Sequence, residues 1–352
     1  MSILVTGNLG YLGTVLSEVL NTNNYYFDGL DCGFYEDDLL CKCHSPSKQI
    51  ILDIRKINED NLKKYETVIH LAGLSNDPLG EFNQSLTEEI NLHATINLAK
   101  ISKKNGVKKF IYASSQSMYG ISDISKDLDE DNSEKNPVTA YAKTKWEAEK
   151  EIFELSDKNF IVVALRFSTI FGSSPRLRSD IVYNNILGNA FATKKIIIKS
   201  DGTPWRPIVH VKDACAAIIA CIKAPNNLIN RMSFNVGIKN GNFTVNEIAE
   251  AAQKILPDSK IIYTNEHVKD SRTYKVSFER IHTVLKDYFQ PQYNLLSGGE
   301  ELVSFFKKVN FKTEDIIGKK TVRINKLKYL REKQLIDQNF YFYEKKNSSR
   351  YS

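Results

Sequence analysis

Short, unbroken apolar runs alternate with amphipathic stretches through the first half of the chain. Ile3-Leu4-Val5 predicts a strand, and apolar positions at helical spacing predict a helix from Tyr11 to Asn21. Tyr25 to Leu30 predicts a second strand ending at Asp31, and Gln49 to Leu52 a third ending at Asp53. Thr67 to Leu71 follows, then a long helix around Leu86 to Lys103, then the runs Lys109 to Ala113 and Phe160 to Leu165. Strands that are apolar throughout, rather than at every second position, are buried on both faces. Their alternation with helices implies a parallel, doubly wound sheet with right-handed crossovers. The expected fold is α/β, with a Rossmann-type sheet over residues 1–172.

After Gly172 the rhythm breaks. A helix from Asp180 to Ala192, a strand at Ile196 to Ile198 and the turn Asp201-Gly202-Thr203-Pro204 predict a smaller mixed domain over 173–317. Thr244 and Glu247 form a capping box that opens a helix reaching Leu256. Segments of this half are expected to return to the Rossmann core, and a cleft between the halves is the expected substrate site.

The chain has 352 residues, 42% of them hydrophobic and 11% aromatic, which excludes disorder as the main state. The longest uncharged apolar run, Ala214 to Ile222, is nine residues, too short for a membrane span of roughly 20. Because Ser2 to Val5 already reads as strand, no signal peptide is expected. Five cysteines, an odd number, argue for a reducing compartment, and a cytoplasmic location is expected. The spacing of Cys32, Cys41, Cys43 and His44 matches no standard zinc pattern, so free thiols and no metal are expected there. The net charge of +6 is local: residues 318–352 carry ten Lys or Arg against three Asp or Glu, while the rest has 38 against 39. Leu327, Leu330, Phe340 and Tyr341 in this basic tail predict a short helix packed back on the body or on a dimer mate, and neither nucleic acid nor membrane is an expected partner.

The chemistry concentrates at strand ends. Gly7, Gly10 and Gly13 stand as Gly-x-x-Gly-x-x-Gly directly after the first strand. Glycines there allow a tight turn, close backbone approach to a pyrophosphate and close helix–strand packing, with the helix N-terminus facing the phosphates. Asp31 suits the hydroxyls of an adenosine ribose and would repel a 2′-phosphate, which favours NAD over NADP. Asp53 could hold the adenine amine or merely cap the turn before Ile54. Tyr141 and Lys145 share one helical face, and a nearby ammonium favours the phenolate that would take a proton from a substrate hydroxyl. Ser115, past the fifth strand, would bond the same oxygen.

In combination these motifs resemble the extended short-chain dehydrogenases/reductases, specifically the NAD-dependent epimerase/dehydratase family acting on nucleotide sugars. The resemblance rests on Thr6-Gly7…Gly10…Gly13, His70-Leu71-Ala72-Gly73, Ala113 to Gly120, Tyr141…Lys145, Leu165-Arg166-Phe167 and Pro207 to Asp213. It implies a catalytic Ser115 (with Ser114 as runner-up), Tyr141 and Lys145, a cofactor wall including Tyr11, Leu12, Ile54, Leu71, Ala72, Gly73, Asn91 and Phe167, and a homodimer. The family's 4,6-dehydratases carry an Asp-Glu pair where this chain has Gln116 and Ser117, so dehydration is disfavoured. The family's common Asn after the sixth strand is replaced by Ser168, so pyrophosphate binding must differ there. An epimerase acting through transient oxidation of a ring hydroxyl, at C4 by family habit, is the first reading. A 4-dehydrogenase or 4-ketoreductase on the same site is the alternative, and a non-catalytic NAD-dependent regulator or nucleic-acid-binding member of the family a third. Candidate substrate contacts are Ser75, Asn76, Ser115 and Gln116, with Arg176, Arg178, Arg206 and Arg272 for the phosphates, each arginine being equally compatible with a surface ion pair.

Overall fold

The computed structural model describes residues 1–264 and 273–343. Strands β1 (Ile3–Thr6), β2 (Phe27–Asp31), β3 (Lys48–Ile51), β4 (Thr67–His70), β5 (Lys109–Ser115) and β6 (Ile161–Phe167) are joined by crossovers. β7 (Thr169–Phe171), β8 (Lys195–Ile198), β9 (Trp205–His210), β10 (Met232–Val236), β11 (Asn242–Thr244) and β12 (Lys260–Tyr263) follow in the second half. The main sheet has seven strands in the order β10-β6-β5-β4-β1-β2-β3, paired in parallel throughout. β1, β2, β4 and β6 are buried at every position; β1, β4 and β6 are largely apolar, as burial on both faces requires, while β2 buries Asp28 and Asp31 as well. The strand order reverses between β1 and β4, and a crevice opens there outside the carboxyl ends.

β10 is a strand the apolar pattern does not announce, since Ser233 and Asn235 interrupt it. It pairs with β6 and so carries the second half back into the Rossmann sheet. The remaining strands form two small sheets, β11-β9-β7 and β12-β8. The predicted helix Leu86 to Lys103 is also less regular than its periodicity suggests: Gln84–Glu88 and Ala94–Lys104 are α-helical, with a π-helical turn at Glu89–His93 between them. The capping box of Thr244 and Glu247 opens the helix Val245–Ile255 as read. Cys215 and Cys221 are fully buried in the apolar helix Val211–Lys223. The tail forms a helix, Arg323–Glu332, whose Leu327 and Leu330 join Phe340 in the core on one side of the sheet.

Candidate active site

A cavity of about 770 Å³ lies in the crevice, bounded by the loops after β1, β2, β4 and β5 and by segments of the second half. Its floor is the glycine turn. Gly7 has φ +75°, and a Cβ there would sit 2.6 Å from the backbone nitrogen of Ala72 on the loop after β4. A Cβ on Gly13 would lie 2.4 Å from the Gly7 carbonyl oxygen. No side chain caps the helix Tyr11–Thr22, so its first N–H groups are left for a ligand in the cavity that Tyr11 and Leu12 line. The turn is so tight that a Cβ at Gly7 or Gly13 would collide with backbone, and the bare main chain it presents to the cavity fits a dinucleotide pyrophosphate.

Asp31 closes β2 at the same wall. Its carboxylate accepts hydrogen bonds from Gly33 N (2.9 Å) and Leu9 N (3.1 Å). Burial pushes its pKa up, against these bonds and the charge of Arg176. Further along, Asp53 caps the turn Ile54–Lys56 through Arg55 N (2.9 Å) and is gripped by the Arg55 guanidinium at 2.7 Å. Its capping role is therefore present, while Asp53 and Ile54 both line the cavity.

Leu71, Ala72 and Gly73 form the wall after β4. Asn91 does not line the cavity; it holds that wall. From the π-helical turn its Oδ1 accepts from Leu74 N (2.8 Å) and its Nδ2 donates to Leu74 O (2.9 Å). A π-turn bought at the expense of regular helix hydrogen bonds, and used to place one amide, is the usual mark of a functional constraint. Behind it His70 bridges the hydroxyls of Thr6 (2.7 Å) and Thr95 (2.8 Å), and burial lowers its pKa to about 3, so the ring stays neutral.

Tyr141 stands in the first turn of the helix Ala140–Glu154, which Thr139 caps. The Ser115 hydroxyl lies beside the phenol in the cavity wall, while its own hydrogen bonds run to Ser117 Oγ (2.8 Å) and from Ser117 N (3.2 Å). Burial raises the phenol pKa; the Ser115 hydroxyl and Arg178 oppose this, while Asp77 adds to it. Lys145, one turn on, is anchored on β5: its Nζ donates to the Ala113 carbonyl at 2.8 Å and lies 4.8 Å from the Tyr112 ring centroid. Burial lowers its pKa to about 8. Ser114 points away, its Oγ 2.5 Å from Glu149 Oε2, so only Ser115 of the pair meets Tyr141.

The buried lysine has a stability consequence in the ligand-free chain. Between pH about 8 and 10.5 the unfolded lysine is protonated and the folded one is not, so folding stability rises with pH through that window. Lys145→Met should remove a rise on the order of 3 kcal/mol, each pKa unit being worth about 1.4 kcal/mol. Urea titrations of both proteins across this range check it, and parallel pH dependences would contradict it.

The substrate candidates divide. Ser75, Asn76, Arg178 and Arg206 line the cavity, as does Phe167. Arg178 is already paired, with Nε and Nη2 on Asp180 (2.9 and 2.8 Å) and Nη1 on Ser75 Oγ (3.1 Å). Asn76 donates to the same Asp180 at 3.1 Å. Gln116 does not reach the cleft: it is fully buried and its amide donates to Arg166 O at 3.0 Å, because adjacent residues past a strand end face opposite ways. Arg176 is likewise absent from the cavity wall, fully buried near Asp31 and Asp38. Arg272 lies outside the described residues. Sequence reasoning missed Tyr35 and the tail residues Val322, Arg323 and Ile324, all of which line the cavity; the apolar spacing of the tail announces that it packs back, not where.

Comparison with known proteins agrees with this geometry. The model of the NAD dependent epimerase/dehydratase family matches residues 3–237. A UDP-glucose 4-epimerase of Bacillus subtilis is 28% identical over 307 residues, covering 72% of this chain and 82% of the relative. A UDP-glucuronic acid decarboxylase of Arabidopsis thaliana is 23% identical, covering 85% of this chain and 86% of its own. Among solved structures, MoeE5 in complex with UDP-glucuronic acid and NAD superposes with a TM-score of 0.74 at 25% identity. That match covers 88% of this chain and 99% of MoeE5, so this chain carries residues with no counterpart there.

Proposed function

This chain belongs to the NAD dependent epimerase/dehydratase family of nucleotide-sugar enzymes, and we propose that within it the chain is a 4-epimerase that oxidises a ring hydroxyl transiently and restores it on the other face. The observation that carries the reading is that Ser115, Tyr141 and Lys145 line one cavity together with the glycine turn and Asp31. NAD, when bound, supplies the redox partner that takes and returns the electrons of the sugar carbon. The chain's own residues handle the proton and the geometry. Tyr141 removes the hydroxyl proton and later gives it back, worth ~10²–10⁴ in rate for a well-placed acid–base group. Ser115 hydrogen-bonds the same oxygen. Gly7, Gly10 and Gly13 receive the cofactor's pyrophosphate, Asp31 its adenosine ribose and Lys145 its other ribose.

Gln116 supports an outcome other than 4,6-elimination. Its amide cannot titrate near neutrality and is turned to the Arg166 carbonyl, so no acid–base pair follows Ser115. Arg206 and Arg178 are the proposed contacts on the sugar nucleotide's side of the cavity. Among the described residues no helix is long and apolar enough to cross a membrane; a cytoplasmic homodimer is the proposed form.

Two measurements test this. Incubation with a panel of UDP-, GDP-, dTDP- and CDP-sugars, followed by NMR, should show one C4 epimer formed without net change in NAD; loss of water or carbon dioxide from the sugar would contradict it. Titration by fluorescence should show NADH bound more tightly than NADPH by about tenfold or more, since a 2′-phosphate beside the buried Asp31 carboxylate is repelled. Equal affinities would remove the role given to Asp31.

A further inference from the structure

The C-terminal segment crosses the cleft from one wall to the other. At its start Ser179 Oγ donates to Ile316 O (2.7 Å) and Ser179 N to Thr321 O (3.1 Å), which pins the segment to the second half. Lys326 then forms a buried ion pair with Asp38 at 2.8 Å, beyond the end of β2. Leu327, Leu330, Ile336 and Phe340 enter the core that holds Phe34, Ile54 and Leu79. At the far end the Arg55 guanidinium lies 3.8 Å over the Tyr341 ring, and Arg55 is the residue that grips Asp53. Between these anchors Val322, Arg323 and Ile324 face the cavity.

Arg323 is the unusual member. It is 2% exposed and lies over the Tyr35 ring at 4.4 Å. Its polar contacts among the described residues go to carbonyl oxygens, Arg176 O at 2.6 Å and Lys320 O at 3.3 Å. Asp180 and Asp38 act on it only from a distance, and burial pushes its pKa down to about 10. A guanidinium buried among neutral acceptors is costly, and an anion brought to it recovers that cost as charge-assisted hydrogen bonds. The uncapped helix Tyr11–Thr22 faces the same cavity and also favours an anion. Two diphosphates could supply that anion, one in the dinucleotide and one in the sugar nucleotide. Arg178 and Asp180 act on Arg323 from the other side of the cavity, but its direct contacts, the Tyr35 ring and the Arg176 carbonyl, belong with Asp38 beside the end of β2, where Asp31 stands, and they favour the dinucleotide.

We propose, on the reading of this cavity as the NAD site, that residues 318–343 are a strap closed over the dinucleotide and that Arg323 is its contact to the pyrophosphate. A strapped cofactor leaves slowly. A cycle that returns its electrons each turnover can run with such a cofactor, whereas net oxidation needs it to exchange every time.

The test follows bound NADH by fluorescence after dilution of the holoprotein into excess NAD. Loss of one charge-assisted contact in Arg323→Ala should speed release by about 10–100-fold. Tyr341→Ala, outside the cavity lining, removes the stacked pin at the far end and should speed release by about 2–5-fold. UDP affinity, measured separately by calorimetry, should stay within about twofold in both. Release unchanged in both variants overturns the strap, as does a loss of UDP affinity with unchanged NADH release. If Arg323→Ala fails to fold, Tyr341→Ala carries the comparison. Failure of the wild-type protein to bind any dinucleotide overturns the NAD reading itself, and the strap falls with it.

Discussion

Tyr141→Phe is expected to lower turnover to about one part in a thousand or less while NAD binding is kept. The substitution removes one oxygen from a buried ring and leaves its volume, so neither the helix Ala140–Glu154 nor the cavity wall has reason to move. What is lost is the proposed proton carrier, and Ser115, with an ordinary hydroxyl, cannot stand in as a base. The phenol's own pKa makes the effect sharper. Burial holds it above its ordinary value in the ligand-free chain, so the base depends on the cations of the assembled site. Turnover by coupled NMR and NAD retention by denaturation and absorbance separate the two expectations. A variant that turns over at more than about a tenth of the wild-type rate would remove Tyr141 from the chemistry.

Glu149→Ala lowers stability by about 3–5 kcal/mol. Glu149 is fully buried and pairs with Arg166 at 2.6 Å, accepts from Arg166 Nε at 3.0 Å and holds the Ser114 hydroxyl. Without it Arg166 keeps only Tyr119 Oη (3.1 Å) and Glu130 O (2.9 Å), an unpaired charge between β5, β6 and the helix that carries Tyr141. An exposed pair such as Lys104 with Glu59 gains little from its attraction because water screens it, and Glu59→Ala should move stability by less than about 1 kcal/mol. Urea midpoints at unchanged m-value measure both. A Glu149→Ala midpoint shift no larger than that of Glu59→Ala would mean that the buried pair is dispensable.

The legible parts of this chain are those where local pattern and global role coincide. β1, β4 and β6 read as unbroken apolar runs because both faces are covered, and the glycines after β1 read as a phosphate turn because close backbone approach demands them. β10 was hidden by Asn235, which is buried only because distant groups satisfy it: Glu130 accepts its N–H, and its Nδ2 reaches Ser277 O. The π-turn has no local signature, since its cause is the clamp of Asn91 on Leu74. Arg176 and Arg178 are two residues apart in one motif, yet only Arg178 lines the cavity, because Ser75 and Asp180 receive it. Arg323 was unreadable for the same reason, as its partner Arg176 lies 147 positions earlier. The apolar spacing of the tail announces a segment packed back on the body, but not that two of its cations, Arg323 and Lys326, are themselves buried.

The central claim is that one carbon of the sugar is oxidised and reduced within a single cavity, with Tyr141 moving the proton and the cofactor never leaving. A sugar nucleotide deuterated at C4, incubated with the holoprotein in the presence of free unlabelled NAD and NADH, tests it in one experiment. The account predicts that the product epimer keeps its deuterium at C4 and that the free NADH pool stays unlabelled. Deuterium appearing in free NADH, or a product with its C4 configuration unchanged, would contradict it.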